Sequence, residues 1–376
     1  MSPSNPSHGP NLKNRRWEIR VPSTSANIGP GFDVLGLALS LYLTLEVQLD
    51  LSSNDKLPKL TYTGLGASEA PKDPYQNLTT RVALYVLRSH DIKSFPPGLS
   101  IHVINEIPFG RGLGSSGAAV VAGVELANAL GELKLSIGRK LDYALMVERH
   151  PDNVTAALLG GFVASYLREL SPADLDAASI PLSEVLPEFP PDADENWGAD
   201  PPRAPEGIGH YIRLDWAEEV KCVVIVPEFE VSTSKAREVL KETYTRKDVV
   251  FNFQRLAVLT TALGRSPVDP ELIYQAMQDR IHQPYRKTLI PALPTLTSTM
   301  TPTTHPGLVG ICLSGAGPTI LCLATHNFEG IAKYVMDVWR SEAGVSCWWK
   351  VLDVNSNNRH NDPHADHGGC TMTEVF

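Results

Sequence analysis

The 376-residue chain has no apolar run approaching the roughly 18 to 20 residues of a membrane-crossing helix. Its opening stretch, "MSPSNPSHGPNLKNRRW", lacks the apolar centre of a signal peptide, and no hydrophobic segment follows the Arg15-Arg16 pair. Cysteine is sparse: five residues, an odd number, with no C-x-x-C pair. Cys222, Cys312 and Cys322 lie in apolar, strand-like runs, so buried free thiols are expected rather than a disulfide framework or a metal site. A basic surplus is also missing. The formal net charge is -9, and residues 171–210 account for most of it, with nine acids against the single base Arg203; without them the charge is -1. That balance excludes a nucleic-acid footprint. The expectation is a soluble, cytoplasmic protein with neither a membrane nor a nucleic acid as partner.

What is present suits a packed protein of about two domains: 43% hydrophobic and 20% charged residues. "WEIRVP" (17–22) reads as a strand. "LYLTLEVQLDL" (41–51) alternates without a break, with Leu41, Leu43, Leu45, Val47, Leu49 and Leu51 on one face, as a half-buried antiparallel strand does. Residues 77–90 have helical spacing, and 98–108 alternate again. Amphipathic helices are predicted over 115–130 and within 139–150, then a strand over 160–167. Segment 171–210 carries eight prolines and no sustained period, and reads as an insertion or linker. A second unit opens with the buried strand "KCVVIVPE" (221–228), followed by helices over 233–242, 249–263 and 269–281. Two strands flank a Ser-Gly-Ala-Gly-Pro turn within 307–325; a helix over 328–344 and a strand over 347–354 follow. His360, His364 and His367 fit no tight metal-ligand spacing, and a loop before an edge strand, "CTMTEVF", is expected there.

The most informative stretch is "EIPFGRGLGSSGAAVV" (106–121). Gly112, Gly114 and Gly117 match G-x-G-x-x-G, but the helix after it leads into another helical segment, not the second parallel strand of a dinucleotide fold. A Walker A loop is excluded because no G-K-[ST] is present. What remains is a phosphate cradle. Gly110, Gly112 and Gly114 let backbone amides approach an anion, Ser115 and Ser116 sit where helix N-caps sit, and the helix N-terminus adds free N–H groups and a positive dipole end.

With these residues in view, P-x-x-x-G-L-G-S-S-x-A (Pro108 to Ala118) resembles the ATP-binding signature of the galactokinase, homoserine kinase, mevalonate kinase and phosphomevalonate kinase (GHMP) superfamily. "VPSTSANIGPGFDVLGLAL" (21–39) and "HPDNVTAALLGGF" (150–162) are similar to homoserine kinase motifs, and "LSGAGPTIL" (313–321) to the superfamily's C-terminal glycine motif. The resemblance covers residues 17 to 354 apart from 171–210. It implies an α+β, two-domain fold: a ribosomal-protein-S5-like, ATP-binding domain over 17–170 with a left-handed crossover, the acidic insertion over 171–210, and a ferredoxin-like domain over 211–376. It also implies a homodimer, and ATP-dependent phosphorylation of L-homoserine with Mg²⁺.

The same resemblance assigns Asn77, Pro108, Gly110, Arg111, Gly112, Leu113, Gly114, Ser115, Ser116, Gly117 and Ala118 to ATP, and Ser116 with Glu148 to Mg²⁺. Asn27, Asp33, His150, Asn153, Arg237 and Arg286 are implied around the substrate, with Asp33 on the ammonium and the two arginines, whose planar forks suit a carboxylate, at the other end. Asn153, His150, Arg237 and Thr233 are the implied catalytic group. Asn153 stands where relatives such as mevalonate kinase place a catalytic aspartate, so direct transfer without a protein base is expected; the neighbouring Asp152 is the alternative base.

Overall fold

The computed structural model describes residues 15–175, 198, 200–354 and 368–375. The chain runs β1 (Arg15–Ala26), β2 (Leu35–Leu49), β3 (Lys59–Gly64), α1 (Leu78–Arg88), β4 (Leu99–Asn105), α2 (Ser115–Leu130), α3 (Ile137–Val147), α4 (Pro151–Leu159), β5 (Phe162–Leu167), α5 (Pro172–Leu175) and β6 (Gly209–Leu214). It continues with β7 (Lys221–Pro227), α6 (Thr233–Glu238), α7 (Arg246–Ala262), α8 (Pro270–Ala276), α9 (Gln283–Arg286), α10 (Leu293–Thr299), β8 (Leu308–Leu313), β9 (Ile320–Ala324), α11 (Phe328–Ala343), β10 (Cys347–Leu352) and β11 (Thr371–Val375).

The first sheet has seven strands in the order β11-β1-β2-β4-β3, with β5 added to β2 and β6 to β5. β2 organises it, pairing antiparallel with β1 along its length, with β4 through Leu43–Leu49, and with β5 through Leu35–Leu37. Its alternation is as the sequence dictates, but it stops at Leu49, so Leu51 is exposed. β3 and β4 are parallel neighbours joined through α1. The second sheet is antiparallel, in the order β10-β7-β9-β8. In chain order that is 4-1-3-2 with helices after the first and third strands, the ferredoxin-like arrangement.

β7 shows why its sequence carries no alternation. Cys222, Val224 and Val226 pack into the core shared with the first sheet, whereas Val223 and Ile225 face a second core with α10 and α11. A strand covered on both faces reads as a continuous apolar run. α2 likewise departs from the amphipathic expectation. It is enclosed by neighbouring helices and the first sheet, so Glu125 is buried and pairs with Lys140 at 2.6 Å.

Sheet membership corrects the expected boundaries. A division at 211 cuts β6, and a C-terminal unit reaching 376 would contain β11, yet both strands are hydrogen-bonded into the first sheet. Most of the acidic insertion (176–197 and 199) and the histidines at 360, 364 and 367 lie outside the described residues. All five cysteines are free; Cys222, Cys312 and Cys322 are buried as expected, and Cys347 and Cys370 are half-buried. Among the described residues, no helix is long and apolar enough to cross a membrane.

Candidate active site

The glycine loop connects β4 to α2. Gly114 is the α2 N-cap at φ 70°, and a Cβ on it would lie 1.9 Å from Thr24 Oγ1, so both the backbone angle and the packing demand glycine. Ser115 and Ser116 are therefore the first helical residues and not caps. Their hydroxyls are left for the cavity, beside the N–H groups that precede the first intrahelical bond, Ala118 N–H to Gly114 O at 2.9 Å.

The turn between β8 and β9 closes over this loop. Ser314 Oγ donates to Gly112 O at 2.6 Å, Thr319 N–H donates to Arg111 O at 3.3 Å, and Gly315 N–H donates to Ala26 O at 2.9 Å. A Cβ on Gly112 would meet Ser314 O at 2.2 Å. Segments more than 200 residues apart are thus interlocked at the cradle.

A cavity of about 1230 Å³ runs from this loop to the start of α6. Gly110, Gly112, Gly114, Ser115 and Ser116 line one part of it, with Asn77 and Tyr62 beside them. Asn77 caps α1 by accepting from Thr80 N–H at 3.4 Å, and its amide donates to Pro71 O at 3.1 Å and to the Tyr62 hydroxyl. Ser116 Oγ donates to Glu148 Oε2 at 3.1 Å where α3 ends, and Glu148 is buried.

The far part gathers charge of both signs. Asn27 Oδ1 accepts the Asp33 N–H at 2.9 Å, and both residues have positive φ, which turns the Asp33 carboxylate into the cavity. Arg237 Nη2 lies 3.1 Å from Asp33 Oδ1 and 2.6 Å from His150 Nδ1, which is itself 3.4 Å from Asp33 Oδ1. Burial pushes the Asp33 carboxyl up, but His150 and Arg237 together hold it at about 2. Arg286 is 1% exposed and donates to Ala236 O at 3.2 Å and Gly315 O at 3.0 Å. Burial, then the charge of Arg237, brings it down to about 10, so it remains a cation at neutral pH.

On α4, Asn153 Oδ1 accepts from Thr24 Oγ1 at 2.8 Å, and Asn153 N–H donates to Asp152 Oδ1 at 2.9 Å. Asp152 is 1% exposed, and its Oδ2 has no hydrogen-bond partner among the described residues. Burial and the nearby carboxylates of Asp33 and Glu148, partly offset by His150, push it up to about 7.

The arrangement pairs an anion cradle with a bipolar pocket. Residues 77–161 match the model of the GHMP kinases N terminal domain. The homoserine kinase of Saccharomyces cerevisiae is 54% identical over 347 residues, 90% of this chain and 96% of that protein. The chain belongs to the homoserine kinase family. The Candida albicans homoserine kinase is 50% identical over the same shares of both chains. A crystal structure of the Cytophaga hutchinsonii homoserine kinase shares the fold at a TM-score of 0.68, with 23% identity, covering 98% of this chain and 99% of that one.

Within this homoserine kinase framework, one cavity brings together Asn27, Asp33, Asn77, Glu148, His150, Asn153, Thr233, Arg237 and Arg286 with the glycine-loop residues named above. Pro108, Arg111, Leu113, Gly117 and Ala118 are not among the residues lining it. Arg111 is occupied elsewhere: it donates to Phe109 O at 3.1 Å, Pro227 O at 2.9 Å and Glu228 O at 2.6 Å, and pairs with Glu230 at 2.5 Å. Leu113 is a core residue whose carbonyl accepts from Thr24 N–H at 3.1 Å. Three residues escaped the sequence reading. Lys235 lines the cavity two residues before Arg237, Thr24 holds Asn153, and Phe32 lies beneath Arg237 and Arg286 at 5.6 and 5.1 Å from its ring centroid. Only the surrounding motifs marked these positions; nothing in the residue types did.

Proposed function

We propose that this family member transfers the γ-phosphoryl group of ATP to the side-chain hydroxyl of L-homoserine, giving ADP and O-phospho-L-homoserine in threonine biosynthesis. One observation carries the substrate assignment: Asp33, Arg237 and Arg286 share the end of the cavity beyond the glycine loop. A zwitterionic amino acid supplies a partner for each sign. Its ammonium takes Asp33, its carboxylate takes the two arginines, and the Asp33–Arg237 ion pair at 3.1 Å is exchanged for these contacts. A mevalonate-type acid would satisfy the arginines and leave Asp33 without an ammonium. The test is an ADP-release assay with homoserine, mevalonate and galactose. Turnover with homoserine is expected; turnover with another of the three and none with homoserine overturns the reading.

The chemistry is positioning plus charge stabilisation. The substrate oxygen forms a bond to the γ-phosphorus as the bond to the β–γ bridging oxygen breaks, and the hydroxyl proton passes late to the transferred phosphoryl group. Asn153, held by Thr24, and His150 orient the substrate, Thr233 adds a hydroxyl at the start of α6, and the glycine-loop amides and the α2 N-terminus hold the phosphates.

The donor set at Ser116 and Glu148 fits Mg²⁺. Both are hard oxygens 3.1 Å apart on the wall of the cavity. Among the described residues no group of three or more His, Cys, Asp or Glu forms a metal site alone, so phosphate and water oxygens would complete the shell. When bound, the ion supplies charge neutralisation at the phosphates. Glu148→Gln is expected to raise the Mg²⁺ concentration for half-maximal rate by about tenfold or more. An unchanged Mg²⁺ titration means that Glu148 is no ligand.

A further inference from the structure

Away from the catalytic cavity, an open hollow of about 680 Å³ lies at the start of α7, lined by Arg246, Lys247, Val250, Phe251, Gln254 and Arg280. The protein is acidic overall, yet this patch is built from cations. The Arg280 guanidinium lies 3.8 Å from the Phe251 ring centroid and that of Arg255 lies 3.3 Å from it, distances that place the two groups on opposite faces of one ring. Each gains a cation–π contact, and each raises the cost of the other's charge. Burial, then Arg280, lowers the Arg255 guanidinium below its ordinary value, and its Nε is buried without a partner among the described residues.

Neutralisation is incomplete. Asp248 reaches Arg280 at 3.4 Å, and the Thr245 hydroxyl, then Arg280 and Lys247, hold its carboxyl low, but among the described residues neither Arg246 nor Lys247 forms an ion pair. Asp279, the next carboxylate, is fully buried behind the hollow. It accepts from Asn252 Nδ2 at 2.6 Å and from the N–H groups of Ile281 at 3.0 Å, His282 at 2.9 Å and Gln283 at 2.7 Å. The hollow also faces the Thr245-capped N-terminus of a 17-residue helix, whose dipole adds positive potential.

The geometry points to this hollow as a second anion site, separate from the catalytic cavity, that takes a phosphate or phosphomonoester between Arg246, Lys247 and Arg280. A tetrahedral dianion suits it because three separate cationic side chains line the hollow and Phe251 is already covered by guanidinium groups, leaving no ring face for a base to stack on.

The site is physically joined to the catalytic cavity. Asn252, next to Phe251, also accepts the Arg280 N–H through Oδ1 at 3.0 Å. From Asp279 the contacts pass to His282, whose Nε2 meets Gly29 O at 2.8 Å and whose Nδ1 lies 3.3 Å from Arg286 Nη1. An anion gripping Arg280 fixes the segment 279–286 with Arg286 in place and so favours homoserine binding; this kinetic consequence rests on the proposed activity, whereas anion binding does not.

The experiment measures the melting temperature of the full chain with the catalytic cavity filled by homoserine, Mg²⁺ and a non-hydrolysable ATP analogue. Inorganic phosphate and O-phospho-L-homoserine are titrated in separate arms at constant ionic strength. A saturable rise of a few degrees is expected with at least one of them, lost in the R246A/K247A double variant and in Arg280→Gln. The arm that saturates at the lower concentration identifies the ligand as the free ion or the monoester. A rise that does not saturate, or that survives in both variants, is a general salt effect and overturns the site. In steady-state assays at a fixed concentration of the saturating anion, where any product inhibition acts equally on both proteins, the homoserine KM of the wild type is expected to lie about threefold below that of R246A/K247A, with the two equal in its absence. Equal KM values with and without the anion overturn the coupling to Arg286.

Discussion

Arg286→Ala is expected to cut kcat/KM for homoserine by about 100- to 1000-fold while the KM for ATP changes little. The size follows from where the guanidinium sits. It is 1% exposed, fixed by Ala236 O and Gly315 O, and placed over Phe32 beside a second guanidinium, Arg237. Holding two like charges together is unfavourable until an anion joins them, so substrate carboxylate binding releases that repulsion as well as forming charge-assisted hydrogen bonds. Removing one arginine leaves the carboxylate partly desolvated against a single cation. Arg286→Lys keeps the charge but loses the planar fork, and is expected to recover only part of the loss. The alanine variant also strips two carbonyls of their donor and should melt lower, so the diagnostic quantity is the ratio of the homoserine and ATP effects. A proportional rise in both KM values would show that Arg286 supports the fold and not the substrate.

Asp152→Asn is expected to stabilise the protein above neutral pH. A carboxyl raised from 3.8 to about 7 on folding keeps its proton in the folded state across a range where the unfolded chain has lost it. Its contribution is fully favourable below the unfolded value and is lost as pH climbs through the folded value. The ceiling on that loss is about 4 kcal/mol. Asparagine does not titrate, so its advantage in melting temperature should be present at pH 8 and vanish toward pH 4. The same variant decides the proton question. Base-free transfer predicts that kcat survives within about tenfold. A collapse of kcat at every pH with a normal KM would instead make Asp152 the base that Asn153 cannot be. The wild-type protein keeps a carboxyl at the wall of its active site with one oxygen unbonded among the described residues, and both readings are measured on the same protein sample.

Much of the frame was legible because it is local. The predicted bounds of α2 are the observed ones, although it is buried all round, and two-residue alternation located β2 and β4. The motif order located the cavity, with Ser116, Glu148, Asp33 and both arginines on its walls. What escaped depends on distant partners. β3, "KLTYTG", buries Leu60 alone, so it has no apolar signature and is a strand through its parallel pairing with β4. β6 lies where the Pro-rich segment ends, and only Phe162–Leu167 makes it a strand. α4 is nine residues, mostly buried, too short to show a period. Arg111 sits inside the glycine motif, but the carbonyls that claim two of its guanidinium nitrogens come from Pro227 and Glu228, more than 100 residues away. A motif identifies neighbours in sequence; the destination of a long side chain is set by what the rest of the chain brings to it.

The antiparallel pairing of Arg16–Arg20 with Thr371–Val375 has a further consequence for how the molecule is made. Translation delivers the other six strands of the first sheet long before its outermost strand. Until residues 371–375 leave the ribosome, β1 presents an uncovered row of backbone donors and acceptors to any extended chain nearby. Chaperone dependence during synthesis should therefore concentrate on that edge. Cutting away the last ten residues should harm solubility more than it harms catalysis, since the strand that closes the sheet is not among the residues lining the cavity.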